Sequence, residues 1–202
     1  MSNKNLDDRR RRPYTLKARA RRRDEVHRRI TLAAVHLHGT VGPARTTMRD
    51  IAKHAGVRRA TVYNHFPTEL DLIDACSSHW FGQNPPPDPT VWAKIAEPGL
   101  RVEVALGEMY GYYDRSQDML EKVLRDTPQV PALGKVLQLK WWPMLEGMVD
   151  SLAEGWSSPE TRASLRVALD FFTWQTLTNS GLSNEQAARL VKGWIEAGRA
   201  AR

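Results

Sequence analysis

Arg58, Arg59, Thr61, Tyr63, Asn64 and His65 fall within eight consecutive positions, interrupted only by the small Ala60 and the apolar Val62. Their common chemistry is hydrogen bonding to anions and to the edges of heteroaromatic rings. A guanidinium forks onto the two major-groove acceptors of guanine, an Asn amide onto adenine, and an Ala methyl meets the methyl of thymine. Arg58, Arg59, Ala60 and Thr61 are therefore candidates for base edges, while Thr47, Tyr63 and His65 suit phosphate oxygens and Asn64 suits either.

Such side chains read a duplex only if a helix presents them, and the flanking residues supply one. Met48, Ile51, Ala52 and Ala55 recur at i, i+3, i+4 and i+7, which lays an apolar stripe on a short helix. Gly56 stands where that helix must end, since a residue without Cβ takes the left-handed conformation at little cost. Val57, Val62 and Phe66 give the apolar side of a second helix, and the small Ala52 and Ala55 allow the two axes a close approach. The pattern from Thr46 to Phe66 is helix, tight turn, helix, and its competitor is an ordinary helical hairpin with a solvated charged face.

The same stretch resembles the helix-turn-helix of the TetR family of transcriptional regulators. The matching residues are Thr47, Ile51, Ala52, Ala55, Gly56, Val57, Thr61, Val62, Tyr63 and the ending Asn64-His65-Phe66. Upstream, the segment with Ile30, Ala34 and Leu37 resembles that family's first helix, and downstream the segment beginning at Glu69 resembles its fourth. The resemblance covers roughly residues 22 to 82. Two positions depart from it. Arg58 stands where the family has a Ser-type cap, and a cation there opposes the helix dipole. Glu69 replaces a phosphate-contacting Lys, so that contact is not expected here.

Composition agrees with a polyanion partner at one end only. The chain has 202 residues and net charge +7, yet residues 1–66 hold 17 Lys and Arg against 5 Asp and Glu, whereas residues 67–202 hold 13 against 18. Residues 1–21, with Arg9–Arg12 and a second basic run from Lys17, read as a basic arm without a core of its own, suited to phosphate backbone or minor groove. A solvated tail is the plainer reading of that arm. The arginine run has no apolar segment behind it and is not a secretory signal, no stretch is long and apolar enough to span a membrane, and the single Cys76 reads as a core thiol. A cytoplasmic, nucleoid-associated protein is expected.

Asn84 to Pro89 carries four prolines and marks a boundary, giving a DNA-binding domain at 22–82 and a helical regulatory domain at 83–202. Helices are expected at about 90–96, 100–114, 116–126, 132–154, 160–179 and 184–199, so the fold class is all-α. Pro143 costs its helix the bond to the carbonyl of Leu139 and bends it. Around that bend, Trp92, Met109, Tyr110, Tyr113, Trp141, Trp142, Met144 and Met148 are candidates for lining a hydrophobic cavity, with plain core as the alternative for each. By the resemblance, the last two long helices form a four-helix dimer interface, for which Phe171, Phe172, Trp174, Leu190 and Trp194 are the candidates.

Catalysis finds no constellation. His36 and His38 point to different faces of a helix, the other histidines lack ligand spacing, and no Gly-rich phosphate loop, Gly-x-Ser-x-Gly or Cys-x-x-Cys occurs. No metal or cofactor is expected. The expectation is a homodimeric, sequence-specific regulator on a near-palindromic duplex, most often a repressor in the family resembled, released by a hydrophobic or aromatic small molecule. An architectural DNA-binding protein, or one controlled by a protein partner, is the alternative.

Overall fold

The computed structural model describes the backbone of residues 4–156 and 158–200 and the side chains of residues 17–156 and 158–198. Eleven α-helices follow one another with no strand among the described residues: α1 (Lys4–Thr40), α2 (Met48–His54), α3 (Arg59–His65), α4 (Glu69–Gln83), α5 (Pro89–Trp92), α6 (Pro98–Asp126), α7 (Pro131–Leu139), α8 (Trp141–Leu152), α9 (Pro159–Ala168), α10 (Phe171–Asn179) and α11 (Asn184–Ala200).

Helix starts follow their caps. Thr47 and Thr68 each close a reciprocal capping box, with Asp50 and Asp71 respectively. Proline occupies a first-turn position of α5, α6, α7 and α9, where its missing N–H costs nothing. The helix expected at 160–179 is instead two, because Asp170 caps a new start by accepting from the Thr173 N–H at 2.8 Å. The pair expected at 100–114 and 116–126 is one helix, α6, since Arg115 and Ser116 contain no breaker. The bend expected from Pro143 appears as a break at Lys140 (φ −122, ψ −55), one residue after the carbonyl that Pro143 cannot engage. The backbone of the basic arm is helical from Lys4 and continuous with α1; Arg and Lys are good helix formers once a folded helix propagates into them.

Two apolar cores result. The head core joins α1, α2, α3 and α4 through Ile30, Ala34, Ile51, Ala52, Val62 and Phe66. The body core is built round α6. Helix α4 serves both, because Leu72 and Cys76 lie in the head core and Ile73, on another face, lies in the body core. The proline run after α4 is thus a chain boundary, while the packing boundary runs through α4 itself. Arg101, buried on α6, donates to the carbonyls of Ile95, Ser151 and Glu154, tying the end of α8 to the body.

Candidate nucleic-acid interface and effector cavity

Helix α3 is seated by the turn before it. Gly56 has φ +64, in the region that favours glycine, and Arg29 of α1 donates to the carbonyls of Ala55 and Gly56. A cation at the C-terminal end of α2 satisfies carbonyls that the helix leaves orphaned. Sequence reading did not single out Arg29; its cue would have been a cation on the head's first helix, a weak one. From this seat α3 buries Val62 and leaves Arg58, Arg59, Ala60, Tyr63 and Asn64 exposed, with Thr61 and His65 half-buried. The structure thereby brings seven of the eight expected DNA-contacting residues onto one helix and its cap.

Their electrostatics differ. Arg58 is the N-cap of α3 and makes no side-chain cap bond. Arg59 donates from Nη2 to the Tyr63 hydroxyl at 3.1 Å, and its guanidinium carbon lies 5.4 Å from the ring centroid. Burial, followed by the charges of His27 and Arg23, lowers the pKa of His65, favouring the neutral ring at its position 6.0 Å from that of His27. Thr47, the eighth residue, is exposed, but its hydroxyl donates to Asp50 Oδ2 at 2.5 Å and accepts from the Asp50 N–H at 3.2 Å, so it works first as a cap.

The residues expected to line a ligand cavity are placed otherwise. Trp92, Met109, Tyr110, Tyr113 and Met148 are fully buried in packed core. The Tyr110 hydroxyl donates to the Ala168 carbonyl at 3.0 Å, that of Tyr113 donates to the Leu169 carbonyl at 2.5 Å, and Trp92 Nε1 donates to Glu108 at 2.7 Å. Trp142 is exposed and Met144 is half-buried. Of the eight, Trp141 lines a small apolar cavity of about 40 Å³ between α1, α4, α6, α7 and the start of α8. Its walls include Trp80, Phe81, Met119, Leu133 and Leu137, with His38 and Cys76 as polar members. The reason is the break at Lys140. It swings Trp141 toward Phe81, 6.0 Å between ring centroids, and leaves Trp142 outside.

His38 and Cys76 face each other there, Sγ to Nδ1 3.5 Å. Burial pulls His38 down to about 4 and pushes the Cys76 thiol up to about 12, so at neutral pH both are uncharged. The cavity adjoins two links between head and body. Lys140, at the helix break, pairs with Asp74 of α4 at 2.6 Å. At the end of α6, Asp126 accepts from the Ala44 N–H at 3.0 Å and from Arg125 Nε at 2.8 Å. Gly42, φ +94, permits this approach: a Cβ there would clash with Asp126 Oδ2.

The candidate dimer residues divide. Phe171 and Trp174 are buried in the chain's own core, beside Tyr113, whereas Phe172, Leu190 and Trp194 are exposed, the last to 50%. Val167 of α9 is exposed with them. No group of three or more metal-ligating side chains occurs among the described residues, and none of the described helices is long and apolar enough to cross a membrane.

A short helix seated by a Gly turn in a four-helix head, carried by an all-helical body, defines a helix-turn-helix architecture. Residues 30–76 match the family described as bacterial regulatory proteins, tetR family. A helix-turn-helix transcriptional repressor of Mycobacterium tuberculosis is 40% identical over 57 residues, 28% of this chain and 30% of that protein. The chain thus spans, in that match, under a third of the relative's length. Among solved structures, a TetR-like transcriptional regulator from Rhodococcus is similar with TM-score 0.61 at 17% identity, covering 88% of this chain and 97% of that one. The multidrug binding protein EbrR, solved with imidazole, is similar with TM-score 0.58 at 26% identity, covering 84% and 93%. The N-terminal segment is thus similar to the tetR-family helix-turn-helix, and the chain shares the all-helical fold of these solved regulators.

Proposed function

We propose that this protein is a homodimeric, sequence-specific regulator of transcription, a repressor that leaves its operator when a small apolar molecule enters the cavity beside Trp141. The observation that carries the reading is the face of α3, where Arg58, Arg59, Ala60, Tyr63 and Asn64 are exposed together on a helix whose other side is locked into the head core. Arg58, Arg59, Ala60 and Thr61 meet base edges; Tyr63, His65 and Thr47 meet phosphates, and Asn64 serves either. The exposed Arg21, Arg22 and Arg23 of α1 add sequence-independent attraction.

Dimerisation is supported by the exposed Val167, Phe172, Leu190 and Trp194 on α9, α10 and α11, of which Val167 and Trp194 line a shallow apolar groove of about 240 Å³. Large apolar residues gathered on one surface mark an interface, and a two-fold dimer matches a two-fold operator. The likeness to a multidrug binding protein supports a small-molecule effector. A cavity of about 40 Å³ has room for little more than one water, so the effector must displace side chains, and Met119, Trp80 and Phe81 are the adaptable ones. Those displacements act on α1, α4 and α6, which hold the head. Release requires the effector to bind better to the state with misplaced heads, and a coupling of about 1–3 kcal/mol suffices.

The test is selection of duplexes from a random pool by the full chain and by a chain lacking residues 1–20, at two salt concentrations. Enrichment of an inverted repeat that survives the deletion supports the regulator. Binding without an enriched repeat, lost with the arm or with salt, supports the architectural reading instead.

A further inference from the structure

A second recess, distinct from the apolar cavity and from the reading face of α3, opens where the end of α1, the loop after it, α2 and the last turns of α6 meet. It has a volume of about 880 Å³. Its walls carry Arg45, Lys53, His54, Lys122 and Arg125, and Leu37 and Val41 contribute apolar surface, Val41 being 43% exposed. Asp50 is the one carboxylate among its lining residues, and both the backbone N–H and the hydroxyl of Thr47 donate to its Oδ2.

The cations here are poorly matched by the protein itself. Arg45 and Lys53 enter no ion pair among the described residues, although the field of Asp126 reaches Arg45 and that of Asp50 reaches Lys53. Arg125 gives only its Nε to Asp126, at 2.8 Å. Lys122 donates from Nζ to the Asp118 carbonyl at 2.8 Å and lies 3.6 Å from that residue's carboxylate, which is 99% exposed and therefore well screened, so its charge is only weakly matched. His54 is stacked on His36 at 4.6 Å between centroids, its ring nitrogens left for other partners. Cations gathered round an apolar surface repel one another, and an anion placed between them lowers that energy.

We propose that this cleft binds a small organic anion, an oxyanion carried on an apolar body, and that the ligand bridges head and body. Leu37 and Val41 favour a ligand with a hydrocarbon face, which a phosphodiester backbone does not offer. None of the α3 residues lines the cleft. Its walls come from both the head, through Arg45 and Lys53, and the body, through Lys122 and Arg125, so an occupant biases how the head sits. The ligand class is opposite to that of the neutral cavity beside Trp141, and this site stands whether or not that cavity takes an effector.

The experiment titrates the full chain with salicylate, inorganic phosphate and benzyl alcohol, reading backbone amide NMR shifts, in the wild type and in Arg45→Ala and Lys122→Ala. Arg45 is exposed and Lys122 half-buried, and an unchanged spectrum elsewhere verifies the fold of each variant. Salicylate is expected to saturate shifts within residues 37–54 and 122–126, to bind about tenfold tighter than phosphate, and to lose about tenfold in each variant, as the loss of a charge-assisted hydrogen bond implies. Benzyl alcohol is expected to leave those amides unmoved. The proposal is overturned by absence of saturable salicylate shifts there, by salicylate affinity that neither variant lowers, or by phosphate or benzyl alcohol binding as tightly. It is equally overturned if Lys122→Ala weakens duplex binding and reduces its salt slope by about one, since the cleft is then a DNA contact.

Discussion

Arg59 and Tyr63 form one unit on the reading helix: the guanidinium donates to the hydroxyl at 3.1 Å while its carbon sits 5.4 Å from the ring centroid. The contact spans one turn, so it forms within α3 itself and is present before any duplex arrives. A side chain held near one rotamer loses less entropy when it meets a base than a free arginine would.

Arg59→Ala should therefore relax sequence preference at one base position by about 1–3 kcal/mol while leaving non-specific affinity within a few-fold. Tyr63→Phe keeps the ring over which the Arg59 guanidinium sits and removes the phosphate-facing hydroxyl, so it should weaken selected and unselected duplexes alike. Fluorescence anisotropy on both kinds of duplex checks the pair. Equal losses on both for Arg59→Ala would remove it from base reading.

The clamp between head and body gives a stability prediction. Burial opposes ionisation of Asp126, but hydrogen bonds from Arg125 and the Ala44 N–H, with the charges of Arg125 and Arg45, outweigh it and hold the carboxyl below its usual range. A lowered folded pKa stabilises the fold above the unfolded value and is lost as pH falls through the folded one. Asp126→Ala should cost about 1–3 kcal/mol at pH 7 by urea denaturation, because it strands the Ala44 N–H. That penalty should shrink below about pH 4, near the ordinary carboxyl pKa.

His38 also costs stability as pH falls, over a higher window and because its charged form is excluded from the fold. Burial pulls it down to about 4, so between pH 6.5 and 4 the unfolded chain takes up a proton that the folded one refuses. Stability is lost over that window as pH falls, by about 2 kcal/mol at pH 5. His38→Leu should abolish this contribution, and denaturation of both proteins at pH 7 and pH 5 reads it directly. A variant that loses as much stability as the wild type would show that His38 is already charged in the fold.

How much of this was legible beforehand divides by sequence separation. The apolar stripe of α2, the Gly56 turn and the polar face of α3 are local, and period and residue type reveal them, whereas the capping boxes and the Arg59 to Tyr63 contact, though equally local, came only with the structure. The TetR resemblance over roughly residues 22 to 82, within which residues 30–76 match the family, rests on the same local signals. The Asp126 to Ala44 bond joins positions 82 apart, which no spacing rule reaches. The aromatic residues misled for a related reason. Periodicity shows that Tyr110, Tyr113 and Trp141 point inward, but only the break at Lys140 decides that Trp141 meets the cavity while the tyrosines donate to carbonyls near the end of α9.

Trp194→Glu should dissociate the proposed dimer without unfolding the chain, because its side chain is half exposed and its neighbours on that face are Val167 and Leu190. Phe171→Ala, by contrast, should cost about 3–5 kcal/mol, as expected for a buried aromatic in the chain's own core. Sedimentation of the first variant and urea denaturation of the second separate interface from core. A Trp194→Glu protein that sediments as the wild type does would place the interface elsewhere.

The central claim is that α3 reads sequence, and the most direct measurement is parallel selection from a random duplex pool by the wild type and by Arg59→Ala at one salt concentration. The account predicts an inverted repeat for the wild type and the same repeat for the variant with a guanine preference erased symmetrically in both halves. No enriched repeat, or identical preferences for the two proteins, would contradict it.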